Sequence, residues 1–386
     1  MVSHSPSVQR KQLTYVVNYL SADNAQHWVH IPNLLKEMEK LGWTVDLVSE
    51  RGGEGTSEIL GMPVTFLSRN ARWGRVVPLI RHLLRRRARD GGLVYVRISK
   101  SAAFISALMG RLFGWKTVYW LSDVVVDFNA SRLGWKAPFE YHQMWTLFRL
   151  IDRLVTGPER IVDYFAHHYG LPKRKILLLY NDIALDGIER AKDSSDSGIV
   201  RVLLVHWLSP RRETARYFPA LLAALERVSA SGRKVELDVI GGGPEQPQLE
   251  QFASTHQGTV TVNFHGPIPN RDLGTFYNRA TLFVMPSYRE GFPRVLIEAM
   301  ARGLPIVATD AGGTLDLCGP AQQAYVVDRE DAEAFGRAVQ SLLSSSEDLR
   351  RIGAENLVTV QRFGTPTVAR MYDRELSKLI GAEPAP

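Results

Sequence analysis

Short apolar runs alternate with longer amphipathic stretches along almost the whole chain, and this alternation narrows the fold more than any other feature. A brief run of Val, Leu and Tyr followed by a stretch of 3.6-residue period reads as one βα unit. Repeated units build a parallel sheet covered by helices on both faces. In the first half the expected strands are 13–18, 44–49, 93–97, 116–121 and 175–180, with helices over 33–41, 73–89, 101–113, 138–152 and 158–168. A polar stretch, RAKDSSDSG at 190–198, reads as an exposed linker. Beyond it, strands are expected at 200–206, 235–240, 259–264, 281–285 and 305–309, with helices over 215–230, 246–255, 270–278, 293–302, 330–343, 346–359 and 366–381. The class is therefore α/β: two Rossmann-like, doubly wound domains, 1–190 and 191–365, facing a cleft, followed by a terminal segment 366–386. Ligands of such sheets bind beyond the carboxyl ends of the strands, which puts the expected site in the cleft.

With 45% hydrophobic and 23% charged residues the chain has apolar material for large cores, so disorder over most of its length is excluded. The single cysteine, Cys318, can form neither an internal disulfide nor a cysteine-based metal site. Residues 1–12 are polar and do not read as a signal peptide, and no apolar stretch approaches the roughly 18 residues of a membrane-spanning helix. A cytoplasmic protein is expected, with peripheral attachment to the inner face of the membrane as an extension of that reading. The net charge is +7, and the excess lies in residues 1–190, where 26 Lys/Arg meet 17 Asp/Glu. A basic first half suits an anionic partner, or merely a solvated surface.

The most informative stretch is Pro286–Gly313, PSYREGFPRVLIEAMARGLPIVATDAGG. A strand ends near Met285, a loop carries Glu290, and Pro293 suits the first position of a helix, where its missing N–H costs nothing. The N–H groups of Arg294 and Val295 then mark a helix start that favours an anion such as a diphosphate, with the Arg294 charge at the same end. Glu298 lies in the apolar segment VLIEAM, where a carboxylate is expensive to bury without donors. A sugar diol would supply two. The alternative is structural: one glutamate capping a helix and the other paired with a neighbour such as Arg302.

That run closely resembles the E-x7-E segment of retaining glycosyltransferases of the group 1 family (family 4), which have the GT-B fold; here the pair is Glu290 and Glu298. The resemblance implies an enzyme that uses a nucleotide-diphosphate sugar and needs no metal or other cofactor. It assigns Glu298 to the nucleotide ribose, Glu290 to the donor sugar hydroxyls, and the amides of Gly291, Phe292 and Arg294 to sugar and diphosphate. Ile240–Glu245 (IGGGPE) resembles the family's glycine-rich turn, giving Gly241 and Gly242 to the nucleotide; His265 and Gly266 match its neighbour near the base. Gly312, in the matched run, is placed at the same site. In the first half Asn181 matches an Asn-Gly-Val-Asp ending, in which Asp182 replaces the glycine and Ala184 the aspartate. The terminal helix is expected to cross back to the first domain, as in relatives.

Departures from the pattern are specific. Where the family has Gly-Arg and, five residues after the Arg, a Lys, this chain reads VHWLSPRRE: His206 stands for the glycine, Trp207 for the arginine and Arg212 for the lysine, with Arg211 able to supply the second cation. Two arginines would meet the electrostatic demand of a departing diphosphate. His206 either obstructs the donor or supplies a hydrogen bond. The loop after the first strand, SADNA, lacks the family's glycine pair, leaving Asn24 and His27 as acceptor-side residues, and Asp123 stands where relatives carry a His near the donor sugar.

The segment 69–89 holds eight arginines, at 69, 72, 75, 81, 85, 86, 87 and 89, with Trp73, Val76, Val77, Ile80 and Leu84 expected on one packing face. Its charged face would meet either water or anionic lipid headgroups. No nucleic-acid-binding module is present. The expected function is a sugar transfer to a hydroxyl acceptor, glycan or lipid-linked, in bacterial polysaccharide or glycolipid assembly. The alternatives are a nucleotide-sugar epimerase and a catalytically silent relative that binds a nucleotide sugar or a partner.

Overall fold

The computed structural model describes residues 11–20, 30–52, 58–67, 74–85, 92–121, 137–191, 198–256 and 258–385. The chain forms two compact units, residues 1–182 together with 365–386, and residues 183–364.

In the first unit the elements are β1 (Gln12–Val17), α1 (Ile31–Lys40), β2 (Thr44–Ser49), β3 (Glu58–Ile59), β4 (Met62–Phe66), α2 (Val76–Arg85), β5 (Leu93–Arg97), α3 (Lys100–Phe113), β6 (Lys116–Trp120), α4 (Ala137–Leu150), β7 (Arg153–Thr156), α5 (Glu159–Tyr169) and β8 (Ile176–Leu178). The sheet order is β3-β4-β2-β1-β5-β6-β7-β8, parallel except for the β3–β4 hairpin. Alternation along each strand sends neighbouring residues to opposite faces. Tyr15, Val17 and Tyr95 face α1 and the final helix, Thr365–Ile380, through Leu34, Leu35, Met38, Val368, Tyr372 and Leu376. Val16, Val94 and Val96 face the other way, onto Leu79, Leu83, Ala103, Ala107, Leu147 and Phe148. Asp373 anchors the final helix by accepting from Lys11 and Trp43, each at 2.8 Å.

The second unit holds β9 (Ile199–Val205), α6 (Thr214–Ser229), β10 (Lys234–Ile240), α7 (Gln246–Thr255), β11 (Thr261–Gly266), α8 (Gly274–Arg279), β12 (Leu282–Met285), α9 (Arg294–Met300), β13 (Ile306–Thr309), α10 (Thr314–Leu317), α11 (Pro320–Gln323), β14 (Val326–Val327), α12 (Ala332–Ser344) and α13 (Ser346–Thr359). Its six strands are all parallel, in the order β11-β10-β9-β12-β13-β14. Both sheets reverse direction of growth at their first strand, the doubly wound pattern, and the loops after β9, β10, β12 and β13 emerge at one end.

The structure departs from the sequence expectations at particular points. The units divide at 182/183 and 364/365 rather than at 190/191 and 365/366. The Ile183 N–H donates to the Phe363 carbonyl at 2.9 Å and the Ala191 N–H to the Arg302 carbonyl at 2.9 Å, so 183–191 belongs with the second unit. Strands β3, β4 and β14 lie outside the expected set, each being too short or too polar to show a period. On α2 the fully buried residues are Leu79 and Leu83; Ile80 and Leu84 of the expected face also pack against the core, whereas Val77 is 52% exposed. The segment VVPLIRHLLR is apolar on nearly every side, so periodicity alone does not choose its inner face. Pro293 sits one position earlier than expected, at the N-cap with ψ 101°, and the helix begins at Arg294.

Candidate active site in the second unit

Glu290 is the centre of a buried polar cluster built by two loops, those after β9 and β12. Its Oε1 lies 3.0 Å from His206 Nε2, 3.2 Å from Arg212 Nε and 3.3 Å from Ser287 Oγ, and its Oε2 lies 3.4 Å from Arg212 Nη2. His206 follows the last residue of β9, and its side chain is 1% exposed. The other ring nitrogen, Nδ1, lies 3.1 Å from the Thr214 hydroxyl at the start of α6. One tautomer satisfies every group: Nε2–H donates to the Glu290 carboxylate and Nδ1 accepts from Thr214.

The electrostatics favour that arrangement. Burial pushes the His206 pKa down, the nearby Arg212 charge pushes the same way, and together they outweigh Glu290. Burial works against the Glu290 charge, but Arg212 and the hydrogen bonds from His206 and Ser287 more than offset it, so its carboxyl lies below the usual glutamate range. The pair is a neutral imidazole beside a carboxylate.

Glycines fix the loops that carry this cluster. A Cβ on Gly241 would lie 1.9 Å from the His206 carbonyl oxygen, and one on Gly243 2.1 Å from that of Leu208. The Leu208 N–H donates to the Gly242 carbonyl at 3.0 Å. The glycine-rich turn thus lets the chain's own 206–208 segment come close, where the sequence suggested approach by a nucleotide. Gly312 adopts φ +56°, and a Cβ there would lie 2.0 Å from the Glu290 carbonyl oxygen. The Gly313 N–H donates to Gly291 at 2.9 Å, closing the same contact. Arg212 is positioned by its own N–H, which donates to Ser209, and by its carbonyl, which accepts from Tyr288 at 2.7 Å. Arg211, next to it, is half-buried.

Glu298 is buried one turn into α9. Protein donors reach its carboxylate: Tyr277 Oη lies 3.2 Å from Oε2, and Asn270 Nδ2 lies 3.4 Å and Arg294 Nη2 3.7 Å from Oε1. The alternative partner, Arg302, donates to the Glu298 main-chain carbonyl instead, at 2.9 Å. Burial raises the Tyr277 pKa well above its usual value, so the phenol keeps its proton and donates. Val295 is half-buried, and Phe292 is buried with its ring 5.8 Å from that of Phe363.

Beside the edge strand β11, Asp238 on β10 accepts from His265 Nε2 at 2.7 Å, Arg279 at 2.7 Å and Asn263 at 3.2 Å. His265 therefore has a protein partner, while Gly266 takes φ +65° with open space around it. Sequence reasoning missed Thr214, Ser287, Tyr277, Asn270 and Asp238. Only Asp238, a carboxylate inside the apolar strand VELDVI, carried a signal of the kind used for Glu298. Asn24, His27 and Asp123 lie outside the described residues. Among the described residues no group of three or more His, Cys, Asp or Glu is placed to hold a metal ion, and no helix is long and apolar enough to cross a membrane.

Residues 207–357, which include Glu290, Glu298 and Arg212, match the model of the glycosyl transferases group 1 family. The chain carries a glycosyl transferase group 1 domain. The D-inositol 3-phosphate glycosyltransferase of Streptomyces griseus is 25% identical to it over 244 residues, covering 56% of this chain and 52% of the relative. The chain thus spans about half the length of the curated relatives it matches. Among solved structures, sucrose-phosphate synthase from Thermosynechococcus elongatus superposes with a TM-score of 0.76 at 17% identity, over 97% of this chain and 100% of that one. Anabaena HepE in complex with UDP gives 0.73 at 16% identity, over 95% of this chain and 100% of that one. These likenesses establish the GT-B fold around the group 1 domain.

Proposed function

We propose that the chain is a retaining glycosyltransferase that moves a sugar from a nucleotide-diphosphate sugar to the hydroxyl of a glycan or lipid-linked acceptor, in polysaccharide or glycolipid assembly. The observation that carries this reading is the Glu290 cluster. An ionised carboxylate is held by a neutral His206 on one side and by Arg212 on the other, in the loop that leads into the helix bearing Glu298. Arg212 is the natural partner of a phosphate as well as of Glu290. When the donor binds, Arg212, with Arg211, turns to the diphosphate and frees acceptor capacity on Glu290 for the sugar hydroxyls. His206 keeps the other side of that carboxylate in place. Glu298 has lone pairs left for ribose hydroxyls beyond its contacts with Tyr277 and Asn270.

In the transfer the acceptor oxygen bonds to the anomeric carbon as the bond from that carbon to the diphosphate breaks. The acceptor proton passes to the leaving phosphate oxygen, so no dedicated protein base is required. The cations and the start of α9 hold the charge that develops on the leaving group. The UDP complexes of the Anabaena relative make uridine nucleotides the first donors to try. One observation favours a second reading, nucleotide binding without turnover: Trp207, 59% exposed, stands where the family places a cation.

The test is calorimetry of the full chain with UDP and other nucleoside diphosphates, paired with a transfer assay using UDP-sugars and membrane-lipid extracts. Glu298→Gln is expected to weaken nucleotide binding about tenfold, the order of one hydrogen bond to a charged group, with the native fold retained in circular dichroism. Unaltered affinity would remove the ribose role. Tight nucleotide binding with no product from any donor would establish the silent relative instead.

A further inference from the structure

The outer surface of α3 is the reverse of what water demands. Its inner face is made of small residues, Ala102, Ala103, Ser106, Ala107 and Gly110, and a Cβ on Gly110 would lie 2.8 Å from the Trp115 carbonyl oxygen, so the helix lies close against the sheet. Met109 is buried with them, and Phe104 and Ile105 are half-buried and pack against the same core. Leu108 and Leu112 point outward, 56% and 69% exposed, one turn apart at i and i+4. Phe113 is exposed at the helix end. Lys, Glu or Arg would serve an outward helical position as well as Leu and would stay hydrated, so an apolar patch here needs a partner.

The two helices packed on either side supply the rest. On α2, Val77, Arg81 and Arg85 share the outer face at i, i+4 and i+8; on α4, Phe139 is exposed near one end and Arg149 at the other. Arg111 of α3 donates to the Arg149 carbonyl at 2.9 Å, which ties the two helix ends together. Across α2, α3 and α4 there are five Lys/Arg, namely Arg81, Arg85, Lys100, Arg111 and Arg149, and one carboxylate, Glu140, which pairs with Lys100. An apolar ridge with arginines on both flanks has the pattern of a surface that lies in the headgroup region of a membrane, its leucines below the phosphates and its guanidinium groups among them.

We propose that the outer face of α2, α3 and α4 docks on an anionic phospholipid bilayer. A second copy of the chain fits this face poorly, because two-fold pairing would set the same excess of cations against itself. The arginine run alone suggested lipid from the sequence. The structure moves the apolar part of the contact to α3, a helix that the run does not include. This inference does not rest on the sugar-transfer reading.

The test is co-sedimentation of the full chain with vesicles of phosphatidylglycerol and phosphatidylcholine, against vesicles of phosphatidylcholine alone. Binding is expected to the anionic vesicles only, falling as salt is raised. Leu108→Ser with Leu112→Ser is expected to lower the partition coefficient at least tenfold, and Arg81→Ser with Arg85→Ser about fivefold per arginine. All four side chains are surface-exposed, so the melting temperature and the thermal shift with UDP remain those of the parent. Equal recovery with both kinds of vesicle overturns the proposal, as does full binding by the leucine pair variant. A dimer in analytical ultracentrifugation that the leucine pair abolishes would assign the face to a second copy and overturn it too.

Discussion

His206→Ala tests whether the imidazole is a working part of the Glu290 cluster. The substitution deletes a hydrogen bond to an ionised carboxylate, about 1.5–3 kcal/mol, and a neutral one with Thr214, about 0.5–1.5 kcal/mol, at a position with no access to water that could replace them. A loss of about 3 kcal/mol is expected. For a unit the size of residues 183–364 this lowers the melting temperature by about 6–12 °C. A double-mutant cycle with Glu290→Ala isolates the pair, and a coupling of about 1–2 kcal/mol is expected for groups in direct contact. The pH dependence adds an independent readout. His206 has a folded pKa below its unfolded value, because of burial and then the Arg212 charge. Its contribution is therefore complete above the ordinary imidazole range and is lost as pH falls below about 6.5, where the unfolded chain binds the extra proton. In His206→Ala the fall in melting temperature across that window is shallower, and the loss due to Glu290 follows only as pH drops below the ordinary glutamate range. A melting temperature within about 2 °C of the parent, a coupling near zero, or an unaltered slope between pH 5 and 6.5 would each refute the reasoning.

Two further substitutions probe how the loops and the first unit are held. Gly312→Ala is expected to cost about 2–4 kcal/mol in urea denaturation, since its methyl group meets the Glu290 carbonyl oxygen, whereas Gly266→Ala, with similar φ but open space, costs about 1 kcal/mol; equal costs would show that close approach plays no part. Arg97→Met is expected to destabilise the first unit by about 2–4 kcal/mol. The guanidinium is 1% exposed, donates to Tyr15 at 3.1 Å and to Asn181, and lies 3.9 Å from the Trp120 ring. Tryptophan fluorescence in denaturant reads that loss, and a variant as stable as the parent would count against it.

The sequence alone determined the α/β class and most of the strands, and it singled out the segment 286–313 with the two glutamates of the candidate site, because each rests on local order: period, helix starts and the spacing of two glutamates. Tertiary structure decided what those residues touch. Tyr277 and Asn270 reach Glu298 from another helix and its preceding turn, and Thr214 meets His206 eight residues further on. The role of Gly241 as room for the His206 carbonyl depends on two loops meeting, which no spacing encodes. Likewise, periodicity marked α2 as amphipathic but could not choose between its apolar sides, and it could not show that α3 turns small residues inward and leucines outward. Burial is a property of the packed sheet and its neighbours, so the identity of an exposed face is settled only when the helices have taken their places.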